Sequence, residues 1–304
     1  MSEKFNGIVD NSMLSDYKKC PRYFELRHLE HLAVKDEMSE YKQGYGTAIH
    51  YGLEIWYNGI KDGIKPLDDD LRNSAVNGFK ESFNKFEGAD QYNICTLERG
   101  EMILRLYFMH FQHEEFKVIE TEIGGAFTFG GITVIFKADM LVEDRFGLCV
   151  FETKTSGSRG YLITEPNSQL DTYISGVRAN TNTNKPINRA LFNQIYYRKG
   201  RKGEVLTKTV DFVREETQRD DAMLHEWMQD TIFYSDMIKK SAHEDNYPKN
   251  PNNCTAYGGC MFQRICKVSD PALKETLKSS LFSVRKWEPW PGARGNEIKD
   301  DKTV

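Results

Sequence analysis

The segment from Phe136 to Thr155 holds three side chains whose types and spacing could do chemistry. Asp139 lies inside an apolar run that predicts a β-strand, and Glu152 and Lys154 end the next such run. Twelve residues separate Asp139 from Glu152, which suits a hairpin that brings both carboxylates to one sheet edge. Glu152 and Lys154 are two residues apart, so their side chains emerge on the same face of one strand.

This set of side chains fits the metal-assisted attack of water on a phosphate. Two carboxylates on rigid strands can hold Mg²⁺ or Mn²⁺ through oxygen while positions stay open for water and a phosphate oxygen. The lysine can orient or deprotonate the water and offset charge that builds on the phosphorane. The alternative is a salt bridge among Asp139, Glu152 and Lys154 at the sheet edge. The charge of Asp139 inside an apolar run needs a partner or a metal, which weakens that alternative.

A second group with metal-binding chemistry is formed by Cys254, Cys260 and Cys266. They lie at equal spacing in a loop rich in Pro, Asn and Gly, which a hydrophobic core would not use. In a reducing compartment, clustered cysteines more often bind metal than form disulfides. Cys95 and Cys149 lack partners at a ligand spacing, so we expect both to be core residues.

The composition excludes several classes of protein. With 304 residues, 39% hydrophobic and 28% charged, the chain has an ordinary globular composition rather than a disordered, collagen-like or disulfide-scaffold one. The longest stretch without Asp, Glu, Lys or Arg has 14 residues, whereas a membrane span needs about 20 apolar residues. No secretion signal is recognisable, which predicts the cytoplasm of a bacterial, archaeal or phage-infected cell. The net charge of −4 neither favours nor excludes nucleic acid.

Hydrophobic periodicity predicts a helical first part followed by strands, an α/β arrangement. The predicted helices cover residues 12–30, 44–58, 69–86, 98–115, 168–179 and 214–242, with Ser12 or Ser15 as the first cap and a break at Pro21. The predicted strands cover residues 118–123, 127–129, 132–142, 148–154, 190–198 and 204–212. We expect a Cys-rich loop over residues 247–267 and a flexible tail over residues 286–304.

Further motifs occur in a fixed order around the acidic segment. The chain has Ser12, Tyr17 and the Cys20-Pro21 pair near its start, then Gly46-Thr-Ala-Ile-His50, and later Gln169-Leu-Asp-Thr-Tyr173. Together with the D…ExK arrangement and the cysteines, this ordered set resembles the RecB-like iron–sulfur branch of the PD-(D/E)XK nuclease superfamily. It is similar to AddB-type nuclease domains and to the small nucleases of CRISPR adaptation.

The resemblance implies a restriction-endonuclease-like fold: a mixed β-sheet core flanked by helices, with a helical N-terminal part. One domain would span residues 1–285, with a helical part at about 44–116, the catalytic sheet at about 117–213 and a Cys-rich closure at about 247–267. The implied catalytic residues are Asp139, Glu152, Lys154, Gln169 and Tyr173. The implied ligands of Mg²⁺ or Mn²⁺ are His50, Asp139, Glu152 and the carbonyl of Thr153.

The resemblance also supplies a fourth ligand for the C-terminal cysteines. Cys20 would join Cys254, Cys260 and Cys266 around a [4Fe–4S] cluster, which four thiolates can hold. Zinc is the alternative, although zinc motifs usually include a C-x₂₋₄-C knuckle, which this set lacks.

The implied function is a metal-dependent DNA nuclease, an exonuclease on single-stranded DNA or DNA ends in recombination, repair or phage DNA processing. Its partners would be DNA and a helicase, recombination or CRISPR-adaptation protein, because the chain has no nucleotide-binding helicase motif. One alternative is a catalytically silent DNA-binding or assembly subunit, and another is a restriction-type endonuclease. A groove that tracks single-stranded DNA could use the basic and aromatic residues Tyr196, Tyr197, Arg198, Lys199, Arg201 and Lys202, although an exposed hairpin tip would explain them equally.

Overall fold

The structure is a computed structural model that describes residues 5–35, 37–85, 94–157, 165–256 and 259–286, with the backbone alone for 37–43. It divides into two compact units, which we call the sheet unit and the cysteine unit. The sheet unit comprises Asp36–Ile123 and Lys137–Asp220. The cysteine unit comprises Met1–Lys35, Gly124–Phe136 and Asp221–Val304.

Helices and strands follow one another along the chain largely in the predicted order. The helices are α1 (Asn11–Lys19), α2 (Pro21–Phe24), α3 (Glu37–Lys61), α4 (Asp69–Phe83), α5 (Leu97–His110), α6 (Ser168–Asn180), α7 (Asp221–Glu244), α8 (Gln263–Cys266) and α9 (Pro271–Leu281). The strands are β1 (Ile8–Val9), β2 (Leu32–Val34), β3 (Lys117–Phe129), β4 (Ile132–Asp144), β5 (Gly147–Ser156), β6 (Ile187–Tyr197), β7 (Val210–Gln218) and β8 (Phe282–Val284).

The sheet unit contains a mixed sheet in the order β4–β5–β6–β7. Strands β4 and β5 are antiparallel, with Met140 opposite Phe151, and β6 and β7 are also antiparallel. Strands β5 and β6 are parallel, with Lys154 in register with Gln194, and α6 lies in the connection between them. A parallel pair needs such a crossover because its strands run in the same direction. The predicted α/β fold with a mixed sheet flanked by helices is confirmed.

Helices α3, α4 and α5 cover this sheet with an aromatic core. The buried stripe of α5, Ile103, Leu104, Tyr107 and Phe108, is the stripe that the helical period predicts. Other large buried side chains of the same core are Tyr45, Trp56, Tyr57, Phe79, Phe83 and Phe151. This close-packed support holds the strands that carry the acidic residues.

In the cysteine unit, β1 runs parallel to the start of β4 and β2 is antiparallel to β8. Helix α1 begins after Asp10, whose carboxylate accepts a hydrogen bond from the Met13 amide at 2.8 Å, so the cap precedes the predicted serines. Helix α1 ends at Lys19 and α2 starts at Pro21, which confirms the predicted break. Tyr17 of α1 donates its hydroxyl hydrogen to the Met237 carbonyl of α7 at 3.0 Å.

Beyond the short strands β1, β2 and β8 and helix α9, which were not predicted, the structure differs from the predicted elements at β3 and at both ends of β7. Strand β3 is continuous from Lys117 to Phe129 because pairing with β4 satisfies its backbone in spite of two glycines. Leu206–Thr209 form a short 3₁₀ helix, so β7 starts later than predicted. Residues 214–218 extend β7, and α7 begins only at Asp221. For β3 and for the end of β7, pairing in the sheet overrides the local pattern, whereas hydrogen bonds of Thr209 hold the 3₁₀ helix.

Among the described residues, no helix is both long and apolar enough to cross a membrane. The predicted tail, apart from Lys286, lies outside the described residues. The single nuclease domain over residues 1–285 stays a prediction.

Candidate active site

The carboxylates of Asp139 and Glu152 come together at the β4–β5 hairpin. Met140 pairs with Phe151, and the next position along the two strands is that of Asp139 and Glu152. The Thr153 amide donates a hydrogen bond to Asp139 Oδ2 at 2.6 Å. Thus the hairpin that the spacing predicts brings the two acidic residues to neighbouring positions.

Two basic side chains complete this group. His50 on α3 places Nδ1 3.5 Å from Asp139 Oδ1. The Lys154 ammonium group donates to Glu152 Oε1, and the Glu152 side chain is 3% exposed whereas that of Lys154 is 39% exposed. The structure therefore brings His50, Asp139, Glu152 and Lys154 together.

Gly46 explains how α3 brings His50 so close to β5. A Cβ atom at Gly46 would lie 2.9 Å from Thr155 Oγ1, closer than Cβ contacts normally come. Only a hydrogen atom fits between this helix and the strand. His50 follows one helical turn later, so the glycine and the histidine of the sequence motif serve the same close approach.

The electrostatics of the four residues follow from burial and mutual attraction. Burial lowers the pKa of His50, but Asp139 outweighs this and the net shift is upward. Burial alone raises the pKa of Asp139, but His50 and Lys154 reverse the effect, so this pKa is lowered. Burial and the Asp139 charge raise the pKa of Glu152 to about 7. The pKa of Lys154 is raised because the attraction of Glu152 exceeds the effect of burial. The two close carboxylates, Asp139 and Glu152, thus favour the binding of additional positive charge between them.

The chemistry of these donors fits a divalent cation. Glu152 Oε2 is buried and has no hydrogen-bond partner among the described residues, which is costly for a carboxylate oxygen. Carboxylate oxygens and a neutral imidazole are competent ligands for Mg²⁺ or Mn²⁺. However, in the described ranges no group of three or more His, Cys, Asp or Glu side chains is arranged to hold a metal ion. The ligand set of His50, Asp139, Glu152 and Thr153 therefore stays a prediction.

A small cavity, open to solvent, adjoins His50 and Asp139 and contains acidic residues that the sequence analysis missed. Glu54 and Glu122 line it, and Glu122 pairs with Lys137. Burial and the Glu122 charge raise the pKa of Glu54. The available signal was the spacing of four residues between His50 and Glu54, which puts both on one face of α3.

A buried polar network behind Thr153 was also missed. Asn193 on β6 donates through Nδ2 to Thr153 Oγ1 at 3.1 Å and to the Tyr107 hydroxyl at 2.9 Å. Arg214 on β7 donates through Nε to Asn193 Oδ1 at 3.1 Å. An asparagine within a predicted apolar strand was the signal, because a buried amide needs several hydrogen-bond partners.

Arg214 is the centre of that network. Its guanidinium donates to Glu114 Oε2 at 2.7 Å and Oε1 at 2.8 Å, and to the Tyr57 hydroxyl at 3.0 Å. It also lies 3.5 Å from the centroid of the Phe111 ring. Burial raises the pKa of Tyr57, which also lines the cavity beside His50.

Gln169 and Tyr173 lie on one face of α6, which packs against β5 and β6. Gln169 Nε2 donates a hydrogen bond to the Tyr173 hydroxyl at 2.8 Å. The Asn167 side chain caps the helix by accepting from the Gln169 amide at 3.1 Å. Their predicted contact with Lys154 or a DNA phosphate stays a prediction.

The structure divides the basic and aromatic residues expected in a DNA-tracking groove. Tyr197 is buried and packs edge-on against Tyr45, so it cannot stack on a base. Arg198 makes a bidentate ion pair with Glu204. The remaining members of the set are half-buried or exposed: Tyr196, Lys199, Arg201 and Lys202.

In the cysteine unit, the structure brings Cys20 beside the C-terminal cysteines. Cys20 lies between α1 and α2, and its sulfur accepts a hydrogen bond from the Asn250 amide at 3.3 Å. Cys20, Cys260 and Cys266 pack against one small apolar core. Cys260 donates its amide hydrogen to the Cys254 carbonyl at 2.9 Å. All four are free thiols, which is the donor chemistry of a four-thiolate cluster, but no three of them are arranged to hold a metal ion in the described part of the chain, so the cluster stays a prediction.

The other two cysteines are core residues, as predicted. Cys95 and Cys149 are each 2% exposed and belong to the core of the sheet unit. Burial raises the pKa of Cys149 to about 12. A thiol so resistant to ionisation is a poor metal ligand, because the thiolate is the form that binds.

Residues 11–267, most of the chain, match the family model of the PD-(D/E)XK nuclease superfamily. The chain therefore belongs to this superfamily, and its class of activity is that of a nuclease. The iron–sulfur branch within the superfamily is not distinguished by this match.

Two solved structures are similar at low identity. The structure of SSO0001 shares 17% identity, covering 88% of this chain and 90% of that one, with a TM-score of 0.33. A Eubacterium rectale protein, provisionally named as an exonuclease, shares 12% identity, covering 89% of this chain and 93% of that one, with a TM-score of 0.42. No curated protein matches the chain.

Proposed function

We propose that the protein is a metal-dependent deoxyribonuclease that hydrolyses phosphodiester bonds. The observation that carries this proposal is the meeting of His50, Asp139, Glu152 and Lys154 at one edge of the mixed sheet. A structural role for two adjacent carboxylates would be costly, since their repulsion and burial both oppose ionisation. Membership of the nuclease superfamily supports the same function.

In this proposal His50, Asp139, Glu152 and the Thr153 carbonyl would hold Mg²⁺ or Mn²⁺. When bound, the ion lowers the pKa of water and polarises the phosphate. The Thr153 amide keeps the Asp139 carboxylate in place through its 2.6 Å hydrogen bond. Lys154 presents a protonated amine that orients the attacking water and stabilises negative charge on the phosphorane. Gln169 and Tyr173 position Lys154 or bind a DNA phosphate.

The proposed substrate is single-stranded DNA or DNA with free ends, cut by an exonuclease in recombination, repair or phage DNA processing. Unwinding would come from a helicase, recombination or CRISPR-adaptation partner. The proposed location is the cytoplasm of a bacterial, archaeal or phage-infected cell.

A [4Fe–4S] cluster held by Cys20, Cys254, Cys260 and Cys266 is the second part of the proposal, with zinc as the alternative. Support comes from the hydrogen bond between the Asn250 amide and the Cys20 sulfur, and from the apolar core that three of the cysteines share. The cluster would join two stretches of chain separated by 233 residues. Its role here is to hold the cysteine unit together.

The test uses anaerobically purified protein with Mg²⁺ or Mn²⁺. End-labelled linear single-stranded DNA and covalently closed circular DNA are incubated with the parent protein, Glu152→Ala and Glu143→Ala. Glu143 is a matched control because it lies on the same hairpin, where its partner is Lys185. We expect loss of the linear DNA alone, abolished in Glu152→Ala and retained in Glu143→Ala.

Other outcomes separate the alternatives. Cutting of the circle would favour a restriction-type endonuclease. DNA binding without cleavage by the parent protein would contradict the proposed activity and favour a silent assembly subunit.

A further inference from the structure

The connection between β6 and β7, residues 198–209, exposes two branched aliphatic side chains. Val205 is 59% exposed and Leu206 is 50% exposed. We call these residues, 198–209, the hairpin tip. These two adjacent side chains form a small exposed apolar surface on which another molecule can pack.

The hairpin tip holds this conformation through its own hydrogen bonds. The buried Arg99 guanidinium donates to Thr209 Oγ1 at 2.7 Å, and Thr209 Oγ1 donates to the Leu206 carbonyl at 2.6 Å. Glu204 binds the Arg198 guanidinium with both oxygens and accepts from the Arg201 amide at 2.9 Å. The two aliphatic side chains are therefore presented by an ordered turn, which lowers the entropy cost of binding.

The charge of the hairpin tip favours a polyanion. Its exposed cations are Lys199, Arg201, Lys202 and Lys208. Glu204, its only acidic residue, is already paired with Arg198. The protein as a whole carries a net charge of −4, so this excess of positive charge is local. A local basic surface of this kind attracts the phosphates of nucleic acid.

The register of the sheet places Arg198, the first residue of the hairpin tip, within reach of DNA at the candidate active site. Lys154 is in register with Gln194, and Arg198 lies four residues further along β6 and its continuation. At about 3.3 Å per residue this separation is about 13 Å. Stacked nucleotides repeat at about 3.4 Å per strand, so about four of them span the same distance.

We propose that the hairpin tip binds the open end of a DNA duplex. Val205 and Leu206 pack on the exposed face of the terminal base pair, and the lysines contact the flanking phosphates. Aliphatic side chains act as wedges between base pairs, whereas single-stranded bases are usually bound on aromatic side chains, so the chemistry favours a duplex end. The inference rests on the proposed function, since it places the duplex end a few nucleotides from the site of cleavage.

The test measures binding without cleavage, in a Glu152→Ala background. One probe is a duplex with a single open end labelled with 2-aminopurine, and the other is a dumbbell with both ends closed by loops. Val205→Ser/Leu206→Ser is compared with Phe233→Ser/Leu273→Ser, a matched control from the cysteine unit. Phe233 is 61% exposed and Leu273 is 48% exposed, so both pairs lose similar apolar exposure.

We expect the Glu152→Ala protein to bind the open-ended duplex at least tenfold more tightly than the dumbbell. Val205→Ser/Leu206→Ser should remove most of that preference, and the control pair should keep it. Equal affinity for both probes before these substitutions, or a preference that survives them, would overturn the inference. Equal weakening on both probes would also overturn it, because the tip would then not recognise ends.

The binding test does not depend on DNA cleavage. If the parent protein cut no DNA but preferred open ends, the proposed function would fail and the hairpin-tip inference would stand. Urea unfolding of each variant verifies that the comparison is between folded proteins.

Discussion

Replacement of Arg214 by methionine is expected to destabilise the sheet unit strongly. Arg214 is the ionic partner of Glu114, and their side chains are 16% and 6% exposed. Methionine retains much of the aliphatic volume but removes every hydrogen bond that the guanidinium donates. The carboxylate of Glu114 would then be buried without its cation, and the Asn193 carbonyl oxygen would lose its donor.

The magnitude follows from the cost of an uncompensated buried charge. Removal of one partner of a buried ion pair typically costs about 3–5 kcal/mol. At this size of protein, a loss of that order lowers the melting temperature by roughly 10 °C. Most of the loss comes from the charge left on Glu114, because its remaining partner Tyr57 supplies a hydroxyl group but no positive charge. Neutralising Glu114 should therefore recover stability.

The assay is equilibrium unfolding in urea at pH 7. It compares Arg214→Met with the double variant Arg214→Met/Glu114→Gln and with Arg198→Met. The double variant should recover more than half of the lost free energy of unfolding, since glutamine can still accept the Tyr57 hydrogen bond. Arg198→Met is the control because its ion pair with Glu204 lies at the surface, where such pairs contribute little. A double variant no more stable than Arg214→Met would refute the reasoning.

Three further predictions concern separate parts of the molecule. Cys20→Ala should lose iron and melt at a lower temperature. Cys149→Ala, the control, should retain its iron by elemental analysis. An unchanged iron content in Cys20→Ala would contradict the cluster. Gly46→Ala should lower the rate of cleavage of linear DNA by displacing α3 from Thr155. Gly46→Ala/Thr155→Ala should restore part of the lost cleavage rate. Equal activity of the two variants would count against the close approach of α3 to β5. Hydrogen bonds from Arg189 lower the pKa of Asp144 and of Glu216. Its stabilising effect is therefore complete above about pH 5, beyond the ordinary pKa of both carboxyl groups, and is lost as the pH falls through their lowered values. The difference in unfolding free energy between the parent protein and Arg189→Met should thus shrink from pH 7 to pH 3, and a constant difference would disprove this linkage.

Local patterns in the sequence were sufficient for most elements and for the centre of the candidate site. Alternating apolar residues on both sides of a turn predict the hairpin that carries Asp139 and Glu152, because side-chain direction in a strand has a period of two. The helical stripe of α5 is equally visible, since its period of 3.6 depends only on neighbours along the chain. The glycine before His50 is also a local signal, although its physical reason requires the strand that it faces.

Tertiary structure decided the features that depend on residues far apart in the chain. Tyr197 lies in a basic and aromatic stretch that suggested a DNA-binding groove, but its packing against Tyr45 buries it in the core. Residues 204–209 were predicted to begin a strand, but the hydrogen bonds of Arg99 and Thr209 hold a short 3₁₀ helix over Leu206–Thr209. These partners are distant in sequence, so no local window contains them.

The amino-acid sequence by itself determined the order of most elements and the carboxylate–lysine hairpin. It also separated the two core cysteines from the cysteines near the ends of the chain. Those properties follow from residue type and from short spacings. Only the tertiary structure decided that Asn193 and Arg214 support Thr153, that Glu54 faces the same cavity as His50, and which basic residues stay exposed. Burial and hydrogen bonding are settled by contacts between distant segments, and those contacts exist only once the chain has folded.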